Sequence, residues 1–368
     1  MQVSEGIFDF YSLTNTKRLR QMNRSTAFIL GEDVNCLEQD VCRELNVNYC
    51  VSAPGLEAGL YLALKAAGVQ PADHVLCSGL ASAQVIRAIF RAKATPMLVD
   101  INPNTFNIDP YCLEYVLGKC QRMRQPKPTV LIATDTFGLP CNYDAIESLC
   151  SKHGIVLIED MSPAMGAEVN GKKAGAFGRF AVASLSPEAE LYQEGEGAAV
   201  LCRQEEDMHR LRKYSRQSNL DGEDYVEMAS KSSVRAGVAR ERMQEIFRKL
   251  KIRQKIAGQY QELFAGVVKM QAIPQGYTSS FTRFVLLLPE TVDRGTAALQ
   301  LEKKEIPCSV LRPVLKEPQP GDSWDKVMLR NTQKAYERLL CIPIHAHLTD
   351  HIVVRIAQEV IGEIHLQV

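Results

Sequence analysis

Two adjacent acids, Glu159 and Asp160, close a short apolar run beginning at Gly154, and this is where the chain most clearly offers chemistry. Such a run reads as a buried parallel strand, and open α/β sheets bind ligands beyond the carboxyl ends of their strands. A second acidic group, Glu188, Glu190, Glu194 and Glu196, has no basic residue between Ser186 and Gly197. It suits an amine or a metal ion, and equally a solvated loop. Lys172, Lys173, Arg240 and Arg242 are candidates for a phosphate group, since arginine matches phosphate geometry. His345, His347 and His351 resemble a metal set and read more simply as a polar loop leading into a helix. No Ser/His/Asp set, Gly-rich dinucleotide loop or P-loop lysine stands at the spacing such sites demand.

The elements that must position these residues follow from periodicity. Val34, Leu37, Val41 and Leu45 lie at helical spacing, and Tyr49–Ser52 is a short strand before the turn Ala53-Pro-Gly-Leu-Glu57. Strands are expected at 73–77, 95–99, 130–133, 154–160, 180–185 and 198–202, with helices between them. Residues 166–178 read as a glycine-punctuated turn region joining two of these strands. Beyond a charged helix from Glu205, residues 217–233 read as a polar loop. The C-terminal part adds strands at 284–288 and 306–310, a helix from Arg294, and an amphipathic closing helix from Asp350.

At 368 residues the chain exceeds what one core usually fills, so two domains are expected, 1–245 and 246–368. With 43 basic and 43 acidic residues, no charge excess points to nucleic acid. The first ten residues lack a signal-peptide pattern and no apolar stretch is long enough for a bilayer, so no membrane partner and a cytoplasmic location are expected. Eleven cysteines without a Cys-x-x-Cys pair read as free thiols of a reducing compartment.

These residues resemble the DegT/DnrJ/StrS family of sugar aminotransferases, fold-type I enzymes that use pyridoxal phosphate on nucleotide-linked keto sugars. Glu159, Asp160, Gly166, Ala167, Ser184, Pro187, Gly195, Glu196 and Gly197 fall on the family pattern, and so does the segment Asp100–Pro110. The resemblance covers essentially the whole chain. It implies an α/β fold-type I architecture, a large domain with a mostly parallel sheet flanked by helices plus a smaller C-terminal α+β domain. It also implies that Asp160 pairs with the ring nitrogen and that Pro163 and Ser184 stand at cofactor positions.

Several family positions are substituted. The Schiff-base lysine lands on Ala189 counting from Ser184 and Pro187, or on Glu190 counting back from Gly195. Gly55, Leu56 and Glu57 replace the Ser-Gly-Thr turn that holds the cofactor phosphate, Ser82 replaces the stacking aromatic, and Arg240 replaces an asparagine that reaches the neighbouring subunit's phosphate. From these losses no cofactor is expected. The chain reads as a divergent homologue in nucleotide-sugar biosynthesis, a pseudoenzyme with a binding or partner-subunit role, in a homodimer or beside an active paralogue. The alternative is a pyridoxal-phosphate aminotransferase, or a dehydratase in which histidine replaces the lysine; no histidine lies between His153 and His209.

Overall fold

A computed structural model of the chain describes residues 32–122, 127–185, 197–216, 233–314 and 329–367, leaving out the side chains of 32–33, 216 and 233–246. In chain order its main elements are α1 (Glu32–Leu45), β1 (Tyr49–Ala53), α2 (Leu56–Ala66), β2 (His74–Ser78), α3 (Ala83–Arg91), β3 (Thr95–Val99), α4 (Pro110–Arg122) and β4 (Val130–Thr134). Then follow α5 (Tyr143–His153), β5 (Val156–Asp160), β6 (Glu168–Val169), β7 (Lys172–Lys173), β8 (Phe180–Ser184), β9 (Ala198–Cys202), α6 (Glu205–Arg216) and α7 (Ser233–Leu263). The rest comprises β10 (Lys269–Met270), β11 (Phe284–Leu287), α8 (Arg294–Lys303), β12 (Ser309–Val310), α9 (Arg330–Arg338), β13 (Leu339–Ile342) and α10 (Asp350–Gln367).

Seven strands form one sheet in the order β1-β9-β8-β5-β4-β2-β3, all parallel except β9, which runs against both its neighbours. Its central strands are apolar at nearly every position because both faces are covered. On one face Val75, Cys77, Ile132, Ile158 and Val182 pack with α2 and α3; on the other Leu76, Met97, Val99, Leu131 and Leu157 pack with α4 and α5. Gly59 lets α2 lie against the sheet, since a Cβ there would stand 2.9 Å from a Val182 methyl. The opening helix is as its spacing predicts, with Leu37, Val41 and Leu45 buried. Its Glu38 accepts from Ser52 N–H at 2.8 Å and pairs with Arg212 of α6, tying α1 to the end of β1.

The second sheet, β10-β11-β13-β12, is antiparallel and packs with α8, α10 and the C-terminal half of α7, which passes residue 245 without interruption. Hydrogen bonds join this region to the first sheet; Asp100 accepts from Asn331 and Thr332, and along a further seam main-chain carbonyls are the acceptors. Ser280 N–H donates to Gly138 and its hydroxyl to Pro163; Gln271 donates to Thr105 and Thr136, Ala272 to Asn104, and Thr278 N–H to Glu168.

Two expectations need correcting. The strand read at 306–310 is only Ser309–Val310. Glu305 is left-handed, φ 63°, and Ile306 N–H bonds to Leu301, so these residues form the exit of α8, with Ile306 turned into the core. Residues 166–178 are more than a turn. β6 and β7 form a hairpin whose two connecting residues, Asn170 and Gly171, both have positive φ. Together the two sheets and their helices make an α/β fold-type I architecture.

Candidate functional site

The carboxyl ends of β4, β5 and β8 bring Thr134, Asp160 and Ser184 to one edge of the large sheet. Thr134 and Asp160 are register partners and share the face on which α2 and α3 pack. Asp160 is 1% exposed. The Thr134 hydroxyl donates to its Oδ2 at 3.1 Å, and Ser162 N–H donates to its Oδ1 at 3.2 Å. Burial raises its pKa, and the bonds from Ser162 and Thr134 work against that rise. The Ser162 hydroxyl in turn accepts from Ser184 N–H at 2.9 Å, so β8 fixes the turn that holds Asp160. Pro163 lies in the same turn, its carbonyl accepting the Ser280 hydroxyl at 2.6 Å.

The helices on this face also begin near strand ends. Gly55 caps α2 with extended backbone, φ −179°, and no side-chain bond to the helix; a Cβ built on it meets nothing within 4 Å. First-turn N–H groups there can receive an anion. Glu57 in that first turn accepts from Arg87 Nε at 2.6 Å, so the carboxylate is matched by a guanidinium from α3. Ser82 is the N-cap of α3, its Oγ accepting Val85 N–H at 3.3 Å. That bond accounts for the residue structurally.

Glu159 points the other way. Its carboxylate accepts from Gly175, Phe177 and Gly178 N–H at 2.6, 3.0 and 3.4 Å, clasping the turn after β7. Beside it lies Asp135, fully buried, whose Oδ1 accepts from Cys141 N–H at 2.8 Å and the Tyr143 hydroxyl at 2.7 Å. Its Oδ2 has no partner among the described residues. Tyr143 stacks on Phe177 with centroids 4.4 Å apart.

Of the residues expected from sequence, Asp160, Pro163 and Ser184 come together through Ser162, while Gly55, Glu57 and Ser82 start the helices on the same face. Arg240 and Arg242 lie on α7, in the part whose side chains are left out. Ala189, Glu190 and the acids at 188, 194 and 196 lie outside the described residues. Sequence reasoning missed Thr134, Ser162 and Arg87. Thr134 carries the signal that singled out Asp160, a polar residue closing a buried apolar strand. Among the described residues, no group of His, Cys, Asp and Glu is arranged to hold a metal and no helix is long and apolar enough to cross a membrane.

Pyridoxal phosphate fits these residues at two points. Asp160 accepts two hydrogen bonds, and a carboxylate has capacity for more, which suits a protonated ring nitrogen. The open N-terminus of α2, with Arg87 beside it, suits a phosphate. The covalent point has no candidate on this stretch of chain, since no lysine occurs between Lys173 and Lys213.

The chain is similar to known proteins along most of its length. The chain is 24% identical over 334 residues, 90% of each sequence, to UDP-2-acetamido-2-deoxy-3-oxo-D-glucuronate aminotransferase of Pseudomonas aeruginosa. It is 23% identical over 334 residues, 87% of this chain and 85% of the other, to a Bacillus subtilis protein described as a pyridoxal phosphate-dependent aminotransferase. The crystal structure of a DegT DnrJ EryC1 StrS aminotransferase from Brucella abortus superposes with a TM-score of 0.83 at 21% identity, over 98% of this chain and 97% of that one. The expectation of no cofactor is thereby corrected: relatives that match along most of the chain include one described as dependent on pyridoxal phosphate, and the substitutions at Glu57 and Ser82 leave Asp160 and the α2 N-terminus able to receive it. The model of the DegT/DnrJ/EryC1/StrS aminotransferase family matches residues 12–361, and the chain belongs to that family.

Proposed function

We propose that the chain is a divergent sugar-aminotransferase homologue of nucleotide-sugar biosynthesis that holds pyridoxal phosphate without a covalent anchor. It serves as a ligand-binding or partner subunit, not as an ordinary transaminase. One observation carries this reading: Asp160 keeps its buried, hydrogen-bonded place at the strand end while the chain lacks lysine from 174 to 212. When bound, the cofactor supplies an electron sink. This chain's share is to hold its ring nitrogen through Asp160 and its phosphate at the α2 N-terminus with Arg87, and Arg240 and Arg242 are its candidates for binding a nucleotide diphosphate.

Borohydride treatment of the protein equilibrated with pyridoxal phosphate tests the reading. Equilibrium dialysis is expected to show binding, and mass spectrometry after reduction and denaturation to show the unmodified chain. A pyridoxyl adduct on any lysine at stoichiometric yield overturns it.

The retained Asp160 also favours a second reading, an enzyme that uses the cofactor in an altered site, as aminotransferase or dehydratase. Turnover of a UDP-linked keto sugar with an amino donor separates the two. In either case the large and small domains divide at 245/246, and the working unit is a dimer of this chain or of this chain with a lysine-bearing paralogue. Its interface buries more than ~2,000 Å², the range of permanent assemblies. Light scattering at micromolar concentration is expected to give twice the chain mass, and a folded monomer refutes the dimer.

A further inference from the structure

We propose that Thr134 is a positioning residue for the cofactor: its hydroxyl fixes the plane and the charge of Asp160, the carboxylate that meets the ring nitrogen. This rests on the reading above that pyridoxal phosphate is held at Asp160.

The geometry is specific. Parallel pairing of β4 with β5 places the Cα atoms of Thr134 and Asp160 in register, so both side chains leave the same face side by side. The hydroxyl reaches Oδ2 and the main chain at Ser162 reaches Oδ1, so both oxygens are held and the carboxylate cannot rotate without breaking a bond. The Ser162 side chain bonds Asp160 as well, but its hydroxyl also accepts from Ser184 N–H, so substitution of Thr134 removes a donor while leaving that turn intact. The rest of the strand, Val130 to Ala133, is wholly apolar and buried, so Thr134 carries its one side-chain donor. The neighbouring titratable groups are both acids. Asp135 follows Thr134 at the end of β4, and Glu159 lies on the opposite face of β5, while β8 presents Val182 and Ser184. Among these groups none offsets the charge of Asp160, which makes a donor to its ionised form matter more.

The sign follows from linkage. Burial raises the Asp160 pKa in the folded protein, so the stability associated with this group is full below its unfolded value and is lost as pH rises through the folded one. The Thr134 bond favours the ionised form. Thr134→Val therefore raises the folded pKa further, and the stability deficit of the variant grows with pH.

The experiment compares wild type, Thr134→Val and Thr134→Ser, each also carrying Asp160→Asn. The first measurement is the melting temperature from pH 4.5 to 8.5. Expected is a deficit of Thr134→Val that widens as pH rises, is restored by serine, and loses its pH dependence in the Asp160→Asn background. A pH-independent deficit means a merely structural threonine and overturns the proposal. The second is pyridoxal phosphate affinity by fluorescence titration at pH 7.5. Thr134→Val is expected to weaken it by roughly fivefold to tenfold, and serine by less than about twofold. Unchanged affinity in the valine variant overturns the cofactor role. A wild-type chain that takes up no pyridoxal phosphate overturns the proposed function and this inference together, and in that case a pH-dependent deficit identifies the bond as structural.

Discussion

Glu159 and Asp160 are neighbours on one strand, are equally buried, and face opposite sides of the sheet. Glu159 is satisfied by three backbone N–H groups of one turn, and Asp160 is bonded by Thr134 and by the side chain and N–H of Ser162. The difference separates two uses of a buried acid. A carboxylate saturated by main-chain donors organises the chain, and one left with accepting capacity beside open helix ends is available to a ligand. Burial raises the pKa of both acids against the pull of their hydrogen bonds, that of Glu159 to about 7 despite the N–H groups of Gly175, Phe177 and Gly178.

The largest effect that can break this division is loss of the clasp. Glu159→Ala leaves buried N–H groups without an acceptor and is expected to cost about 3 kcal/mol or more in denaturant unfolding. Asp160→Ala should cost less, about 1–2 kcal/mol, because it leaves fewer main-chain donors without an acceptor, while abolishing pyridoxal phosphate binding. Equal destabilisation by the two variants would erase the distinction.

A smaller effect sharpens it. The folded pKa of Glu159 lies above its unfolded value near 4.5, so its stabilising contribution is complete below that value and is lost as pH rises through about 7. Asp135 behaves alike, raised first by burial and then by the charge of Glu159. The protein is therefore expected to melt at lower temperature at pH 8 than at pH 6, and Asp135→Asn to flatten that slope. A profile that rises across this interval contradicts the assignment. The smallest effect is Tyr143→Phe, which removes one donor to Asp135 and keeps the stack on Phe177; a loss of about 1 kcal/mol in denaturant unfolding is expected.

Much of this was legible in the chain itself. Apolar runs closed by polar residues located the strands, and helical spacing located the opening helix, because burial on both faces of a parallel sheet leaves little choice of residue. Asp160 was legible for the same reason. Thr134 was overlooked although it ends its strand in the same way, since a hydroxyl looks neutral until a register partner gives it an acceptor. Arg87 was invisible because its partner, Glu57, lies 30 residues earlier on a different helix. The hairpin at Asn170-Gly171 carried a recognised turn signal, obscured by the surrounding glycines. Ile306 misled because β-branched residues suit strands, whereas here the left-handed Glu305 turns it into the core as α8 ends.

The seam between the two sheets bears on how such a chain changes over generations. Every acceptor named there is a peptide carbonyl, which no codon change can delete. Three of the donors, the N–H groups of Ala272, Thr278 and Ser280, are main chain as well, so only the side chains of Gln271 and Ser280 are exposed to replacement, and the path of the main chain keeps the carboxyl ends of β4, β5 and β8 in place whatever side chains they carry. A lineage can thus exchange the residues at Glu57, Ser82 or Ala189 while inheriting the same frame, which is how a chain only 21% identical to the Brucella abortus protein still follows its course along nearly its whole length.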